Sequence, residues 1–311
     1  MNSCTAFYIE KFQPGPGNIL ICRTNSEENT AGLLVIYLQL VFNILFPERI
    51  FNFLCRIMPL HISSLNSGSN GNCYYIGNER DAVLIDAGIS CRETERRMKR
   101  LGLSLEKVRA VFISHEHTDH TRGVEVLSRK HHLPVYISAP TYQNSYLKLD
   151  PALLKHFDAL SPLKIGCLDI CAFPKRHDAS DPHSFTISHD GVTVGVMTDI
   201  GSPCEHVVQH FSRCHAVFLE ANYDERMLDE GRYPYYLKKR ISSDVGHLSN
   251  RQALELFRHH RPAFMTHLIL SHLSKENNRP ELVYELFGTH ANGIQIAVAS
   301  RFEESGLFCV G

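Results

Sequence analysis

The stretch His115-Glu116-His117-Thr118-Asp119-His120 constrains the fold of this chain more than any other. It puts four potential metal ligands within six residues, directly after the apolar run Val111-Phe112-Ile113-Ser114. A strand is expected to end there and a helix to begin. His115 and His117 are two apart, so in extended or turn geometry both imidazoles converge on one ion. Asp119 and His120 follow at once and reach a second. Neutral imidazole together with carboxylate suits Zn, Mn or Fe. Two ions about 3.5–4 Å apart form the clamp used in phosphoester hydrolysis. The alternative is a metal-free, His-rich loop, since the chain holds 19 histidines in 311 residues.

Strand and helix patterns alternate on either side of this motif. Strands are expected at His61–Leu65, Cys73–Ile76, Ala82–Ile85, Val108–Ser114 and Pro134–Ser138. Ser90 is placed to cap a helix over Cys91–Leu101, and a second helix is expected over Thr121–His132. The second half repeats the grammar, with strands at Leu168–Phe173, Ala216–Leu219 and Ala263–Leu270. Ser184–Ser188 and Val192–Met197 flank His189-Asp190-Gly191, a hairpin signal. Such alternation predicts an α/β chain with two sheets packed face to face and helices outside. Asp86, His115, Asp199 and His272 each stand at, or just after, the C-terminal end of an expected strand, and His177 a few residues beyond one. Loops at strand ends gather at one edge of a sandwich. A shared metal pair there gives buried polar residues the partners they need.

Composition narrows the remaining choices. With 43% hydrophobic and 21% charged residues, the chain can bury a sizeable core. A net charge of −1 gives no global attraction to nucleic acid, so any such contact needs a local basic patch. Lys175, Arg176 and the run Lys238-Lys239-Arg240 are candidates, with simple solvation as the alternative. Arg92, Arg96, Arg97, Lys99 and Arg100 read as the solvated face of the Cys91–Leu101 helix. The ten cysteines are scattered without CxxC pairs, which reads as reduced thiols in a cytoplasmic protein. Residues 1–57 do not share the strand and helix pattern of the rest of the chain. The apolar run over 31–46 is shorter than the roughly 20 residues a membrane span needs. Residues 1–57 are therefore expected to be an extension outside the fold, either sequence translated upstream of a start at Met58 or a marginal membrane anchor. Residues 58–311 are expected to form the hydrolase domain, without membrane association.

Further elements carry a resemblance. Leu65-Asn-Ser-Gly-Ser-Asn-Gly-Asn-Cys73, Arg176-His-Asp-Ala179, Thr198-Asp-Ile-Gly201, Gly246-His-Leu-Ser249 and Leu270-Ser-His-Leu-Ser-Lys-Glu-Asn-Asn278 follow the HxHxDH motif in order or precede it. Together they resemble the metallo-β-lactamase superfamily, and within it the YycJ/WalJ branch, related to RNase Z and the phosphodiesterase-type members. The resemblance covers residues 58–311. It implies an αββα sandwich of two mixed β-sheets holding two divalent metal ions, Zn or Mn, with Fe also accepted. His115, His117 and His177 would hold the first ion. Asp119, His120 and His272 would hold the second, and Asp199 would bridge them. Asp86 would orient a ligand imidazole through its other nitrogen. The implied activity is 5′→3′ exonucleolytic cleavage of DNA by a metal-bridging hydroxide, with Asp119 and His247 as catalytic residues and His247 protonating the leaving oxygen. A small-molecule phosphodiesterase and a thioester or ester hydrolase are the alternatives. Among the histidines, His183 competes with His177, and His267 with His272, although strand parity puts His267 on the opposite face. Asn66, Ser67 and Asn72 read either as site-lining residues or as turn formers.

Overall fold

A computed structural model describes residues 8–12, 19–23 and 58–311. The chain divides into two compact units, Met1–Arg56 and Ile57–Gly311. In the first, β1 (Tyr8–Phe12) pairs antiparallel with β2 (Ile19–Arg23). The apolar run 31–46, a candidate for a marginal anchor, lies outside the described residues, as does most of the expected extension. Among the described residues no helix is long and apolar enough to cross a membrane.

In the second unit β3 (Leu60–Asn66), β4 (Cys73–Gly77), β5 (Ala82–Ile85), β6 (Val108–Phe112), β7 (Val135–Tyr136) and β8 (Leu154–Lys155) build a seven-stranded sheet. Its remaining strand is β16 (Phe308–Val310), which returns from the C-terminus to pair with β3. The other seven-stranded sheet holds β9 (Leu163–Ile165), β10 (Leu168–Pro174), β11 (His183–His189), β12 (Val192–Met197), β13 (Ala216–Glu220), β14 (His267–Ser271) and β15 (Gln295–Val298). Both sheets are mixed. β5 to β8 are parallel, and so are β12 to β15. Neighbouring parallel strands end on the same side, so the residues after β5, β6, β12, β13 and β14 reach two aligned edges.

Strand alternation sorts the core into three layers. Val83 and Ile85 of β5 and Ala216 and Phe218 of β13 point between the sheets, where Tyr74, Phe112 and Phe185 join them. Ala82 and Leu84 point the other way, onto Cys91, Met98, Val124 and Leu127 from the helices Cys91–Arg100 and Val124–His131. Val217 and Leu219 face the helices Glu205–Phe211, Asn250–His260 and Pro280–Gly288. Strands buried on both faces read as continuous apolar runs, which is how β5 and β13 look in sequence. The two sheets with helices outside are the expected architecture.

Several boundaries move for local reasons. The helix expected over Thr121–His132 is split into Thr118–Thr121 and Val124–His131. Gly123 lies against the segment after β5, where an added Cβ would stand 1.9 Å from the Ile89 carbonyl oxygen. Strand β14 begins at His267, not Ala263, because pairing with β13 starts only there and Met265 closes a turn on Pro262. The helix Ala139–Asn144 carries no strong apolar period and was not expected.

One arginine departs from the solvated-face reading. Arg92, Arg96, Lys99 and Arg100 are exposed, but Arg97 is buried. Its guanidinium donates to Leu65 O at 2.7 Å, Asn66 Oδ1 at 2.8 Å and Phe302 O at 2.9 Å. It joins the end of β3 to the C-terminal loop. Arg97→Ala leaves these buried acceptors without a donor, which is expected to cost about 2–4 kcal/mol in urea unfolding. Arg92→Ala is expected to change stability by less than about 0.5 kcal/mol. Equal effects of the two substitutions would contradict the tie.

Candidate metal centre

Backbone conformation at the strand ends aims the site residues. Asp86 follows β5, Asp199 follows β12 and His272 follows β14, and all three are left-handed, with φ of 60°, 55° and 56°. Each such non-glycine residue costs about 1–3 kcal/mol and persists only where its surroundings determine it. Asp86 is held by its N–H on Phe112 O at 2.8 Å, and its Oδ1 accepts from Ser114 N at 2.8 Å. His272 donates its backbone N–H to Ser67 Oγ at 2.7 Å, and its carbonyl accepts from Asn222 Nδ2 at 2.8 Å. The strand ends thus bring candidate ligands from both sheets to one place.

Two groups of donor atoms form there. His115, His117 and His177 offer ring nitrogens within 4.8 Å of one another, with His115 Nε2 and His117 Nδ1 3.0 Å apart. Asp119, His120 and His272 form the other, with Asp119 Oδ2 3.5 Å from His120 Nε2 and 3.7 Å from His272 Nε2. Asp199 stands between the groups. Its carboxylate oxygens lie 3.3 Å from His120 Nε2, 3.5 Å from His272 Nε2 and 4.0 Å from His177 Nε2. His177 Nε2, His272 Nε2 and Asp199 Oδ2 are buried without a hydrogen-bond partner. Burying such atoms unpaired is costly. A set of imidazole nitrogens and carboxylate oxygens converging on unfilled lone pairs fits divalent cations.

The opposite ring nitrogens are taken. His120 Nδ1 donates to Asp86 Oδ2 at 2.6 Å, and His177 Nδ1 to Gly246 O at 3.0 Å. His272 Nδ1 meets Glu220 Oε1 at 3.0 Å. Such contacts fix tautomer and ring orientation. Glu220 is fully buried and was not anticipated. Its Oε1 also meets His247 Nδ1 at 2.8 Å, and its Oε2 accepts from Ile200 N and Leu248 N. The signal for it was present, since an acid directly after the apolar run Ala216–Leu219 repeats the pattern of Asp86 after Ala82–Ile85.

The other candidates sort themselves by distance. The His247 ring centroid lies 5.2 Å from that of His177 and 5.3 Å from that of His272, and its side chain is 20% exposed. Asn72 Nδ2 approaches Asp119 Oδ2 at 3.3 Å and His120 Nε2 at 3.1 Å, so Asn72 and Ser67 line the centre. Asn66 turns to Gly71 and Arg97 instead. His183 bonds to Asp181 O and packs edge-on against Phe157, away from both groups. His267 meets Thr266 Oγ1 at the start of β14. Lys175 corrects the phosphate-binding expectation, because its ammonium is buried and donates to Thr198 O at 2.7 Å.

Electrostatics divide the imidazoles. Burial, helped by His120 and Lys175, holds His115 well below its ordinary range. Burial also brings His177 down to about 4. For His120 burial acts the same way, but Asp86, Asp199 and Asp119 outweigh it and hold the ring well above its ordinary range. Burial opposes charge at His272 too, yet Asp199, Asp119 and Glu220 raise it to about 10. Burial disfavours the Asp199 carboxylate, but His272 and His120 keep it well below the usual range. Four carboxylates therefore share the site with imidazoles, a field that favours cations.

A family model described as a Beta-lactamase superfamily domain matches residues 81–272. Exodeoxyribonuclease YycJ of Bacillus anthracis is 34% identical over 257 residues, covering 82% of this chain and 93% of that protein. Exodeoxyribonuclease WalJ of Streptococcus pneumoniae serotype 2 (strain D39 / NCTC 7466) is 34% identical over 227 residues, covering 71% of this chain and 84% of that protein. Among solved structures, the metallo-β-lactamase fold protein YhfI from Bacillus subtilis aligns with a TM-score of 0.62 at 17% identity. That alignment covers 81% of this chain and 99% of YhfI.

The Asp86–His120 contact generates a test. Asp86→Ala frees the ring that Asp86 now orients, and divalent-metal affinity is expected to fall about 10- to 100-fold. Competition against a chromophoric chelator measures it. Unchanged affinity would show that the contact orients nothing that binds metal.

Proposed function

The chain belongs to the β-lactamase superfamily, and from that premise we propose that residues 58–311 hydrolyse phosphodiester bonds of DNA, as a cytoplasmic exonuclease working 5′→3′. The names of the two relatives support the substrate, and unpaired thiols such as Cys73, Cys91 and Cys214 support the compartment. The observation that carries the chemistry is the Glu220–His247 pair beside the donor groups. Phosphodiester hydrolysis leaves an alkoxide oxygen, which needs a proton where the thiolate of a thioester does not; the names of the two relatives favour it over lactam cleavage. A carboxylate-held imidazole at the mouth of the site supplies that proton.

In this reading His115, His117 and His177 would hold one divalent ion and Asp119, His120 and His272 a second, with Asp199 placed between the two groups; Zn and Mn suit the set, and Fe is accepted. Ions held there supply the positive charge that acidifies an attacking water and offsets charge on the phosphoryl oxygens. The residues do the rest. Asp119 would serve both as a ligand and as an acceptor for the attacking water's proton, and Asn72 Nδ2 donates to its carboxylate at 3.3 Å. His247 Nδ1 is anchored on Glu220, so Nε2 is left to donate a proton to the leaving oxygen as the P–O bond breaks. Glu220 holds the ring in place through Nδ1, and the ring's partial exposure leaves it open to solvent.

Separate losses are expected for separate roles. His117→Ala and Asp199→Ala lose both bound metal and activity. His247→Ala keeps its metal, read by elemental analysis, while kcat falls about 10²- to 10⁴-fold. Metal loss in His247→Ala would overturn its role as proton donor. The full chain, loaded with Mn or Zn, is expected to release mononucleotides from 5′-labelled DNA and to hydrolyse bis(p-nitrophenyl) phosphate. Cleavage of the small ester alone would remove the exonuclease reading, and cleavage of a thioester alone would remove phosphoester chemistry.

A further inference from the structure

The helix Tyr235–Ile241, sequence YYLKKRI, is not explained by core building, because none of its seven residues is buried. Tyr235 and Tyr236 are 74% and 73% exposed. Large rings left in water at adjacent positions gain nothing for folding. Three cations come next in the chain, Lys238, Lys239 and Arg240, and Lys239 Nζ stands 5.6 Å from the centre of the Tyr235 ring. Residues 232–244 carry four basic side chains (Arg232, Lys238, Lys239, Arg240) and one acidic one (Asp244), in a chain whose net charge is −1. Arg240 is paired with Asp178, and Lys238 Nζ gives one of its three N–H groups to Asp229 O at 2.5 Å, so Lys239 and the remaining N–H groups of Lys238 supply the local basic patch that nucleic-acid contact requires of a near-neutral protein.

The helix is tied to the metal centre at its C-terminal end. His247 donates its backbone N–H to Ile241 O at 2.9 Å. Gly246 fits so closely that an added Cβ would stand 2.2 Å from the carbonyl oxygens of Arg240 and Ile241. Arg240 Nε donates to Asp178 Oδ2 at 2.5 Å, and Asp178 directly follows His177. A seven-residue helix is about 10 Å long. Its aromatic end therefore lies within a few nucleotides' reach of His247, since phosphates on one strand repeat about every 3.4 Å of duplex axis. Beside the helix opens a cavity of about 390 Å³, walled by Tyr223, Tyr235, Lys238, Lys239 and Arg251. Glu225 and Asp229 also line it, but Glu225 is engaged by Arg251 at 3.1 Å.

We propose that Tyr235, Tyr236, Lys238 and Lys239 form a platform for the unpaired end of a DNA strand, the rings stacking on bases and the ammonium groups contacting phosphates. Stacking plus a cationic track is how single strands are held without sequence preference, and paired bases cannot use it. The platform selects single-stranded ends and feeds them toward His247. It rests on the phosphodiester reading for its direction, not for its binding.

The test separates binding from cleavage. Anisotropy of a fluorescein-labelled 20-nucleotide oligodeoxythymidylate is titrated with the metal-free full chain. Tyr235→Ala/Tyr236→Ala is expected to weaken binding at least about tenfold, while Tyr235→Phe/Tyr236→Phe stays within about twofold. Lys238→Ala/Lys239→Ala is expected to lower the slope of log affinity against log salt by about 1.4. With metal, the Tyr→Ala pair is expected to reduce the ratio of kcat/KM for the oligonucleotide to that for bis(p-nitrophenyl) phosphate at least tenfold. Unchanged binding in the Tyr→Ala pair overturns the platform, as does an equal loss on both substrates, or an equal loss of blunt-duplex binding. Wild-type protein that binds the oligonucleotide through these residues but never cleaves it supports the platform and contradicts the exonuclease. Cleavage that ignores these residues does the reverse.

Discussion

Three buried atoms with no hydrogen-bond partner, His177 Nε2, His272 Nε2 and Asp199 Oδ2, face a common space at the edge of the two sheets. The rest of the structure is arranged to hold them there. Three strand-ending residues accept left-handed backbone to aim their side chains inward. Asp86, Gly246 and Glu220 each occupy the far nitrogen of an imidazole, so no ring can turn to satisfy itself elsewhere. Such a site stores strain and unpaired polarity that a hydrophobic core must offset. A divalent cation in the space would give the unpaired atoms their partner, and that is the physical sense of the arrangement.

Much of this was legible in the chain. The HxHxDH motif after an apolar strand is dense enough to mark candidate ligands by type and spacing, and the structure gathers its residues into the two donor groups. Single residues at strand ends, Asp86, Asp199 and His272, were legible because parallel strands deliver their ends to one edge. His177 was separable from His183 only by its neighbours, and the structure brings His177, not His183, beside His115 and His117. Boundaries were less legible where tertiary contact decides them, as at Gly123, where backbone presses on backbone.

The misread residues share a cause. Lys175 and Arg97 are long cationic side chains, and in sequence such residues read as solvated. Each is instead buried on carbonyl oxygens that nothing local announces. Glu220 was overlooked because its role depends on two distant histidines, His247 and His272, separated from it by 27 and 52 positions. Its place after an apolar strand was legible, but which imidazoles it serves comes only from the fold.

Within this superfamily the donor groups supply a common electrostatic frame, and the surrounding residues choose the reaction. In the proposed reading that choice falls to the Glu220–His247 pair and to the exposed aromatic helix joined to it through Ile241. The metal content of the unmodified full chain tests the frame most directly. Elemental analysis after dialysis against trace Zn or Mn should return two equivalents per chain. A chain that retains less than one equivalent would contradict the account, because the unpaired atoms that organise the site would then have no ion to bind.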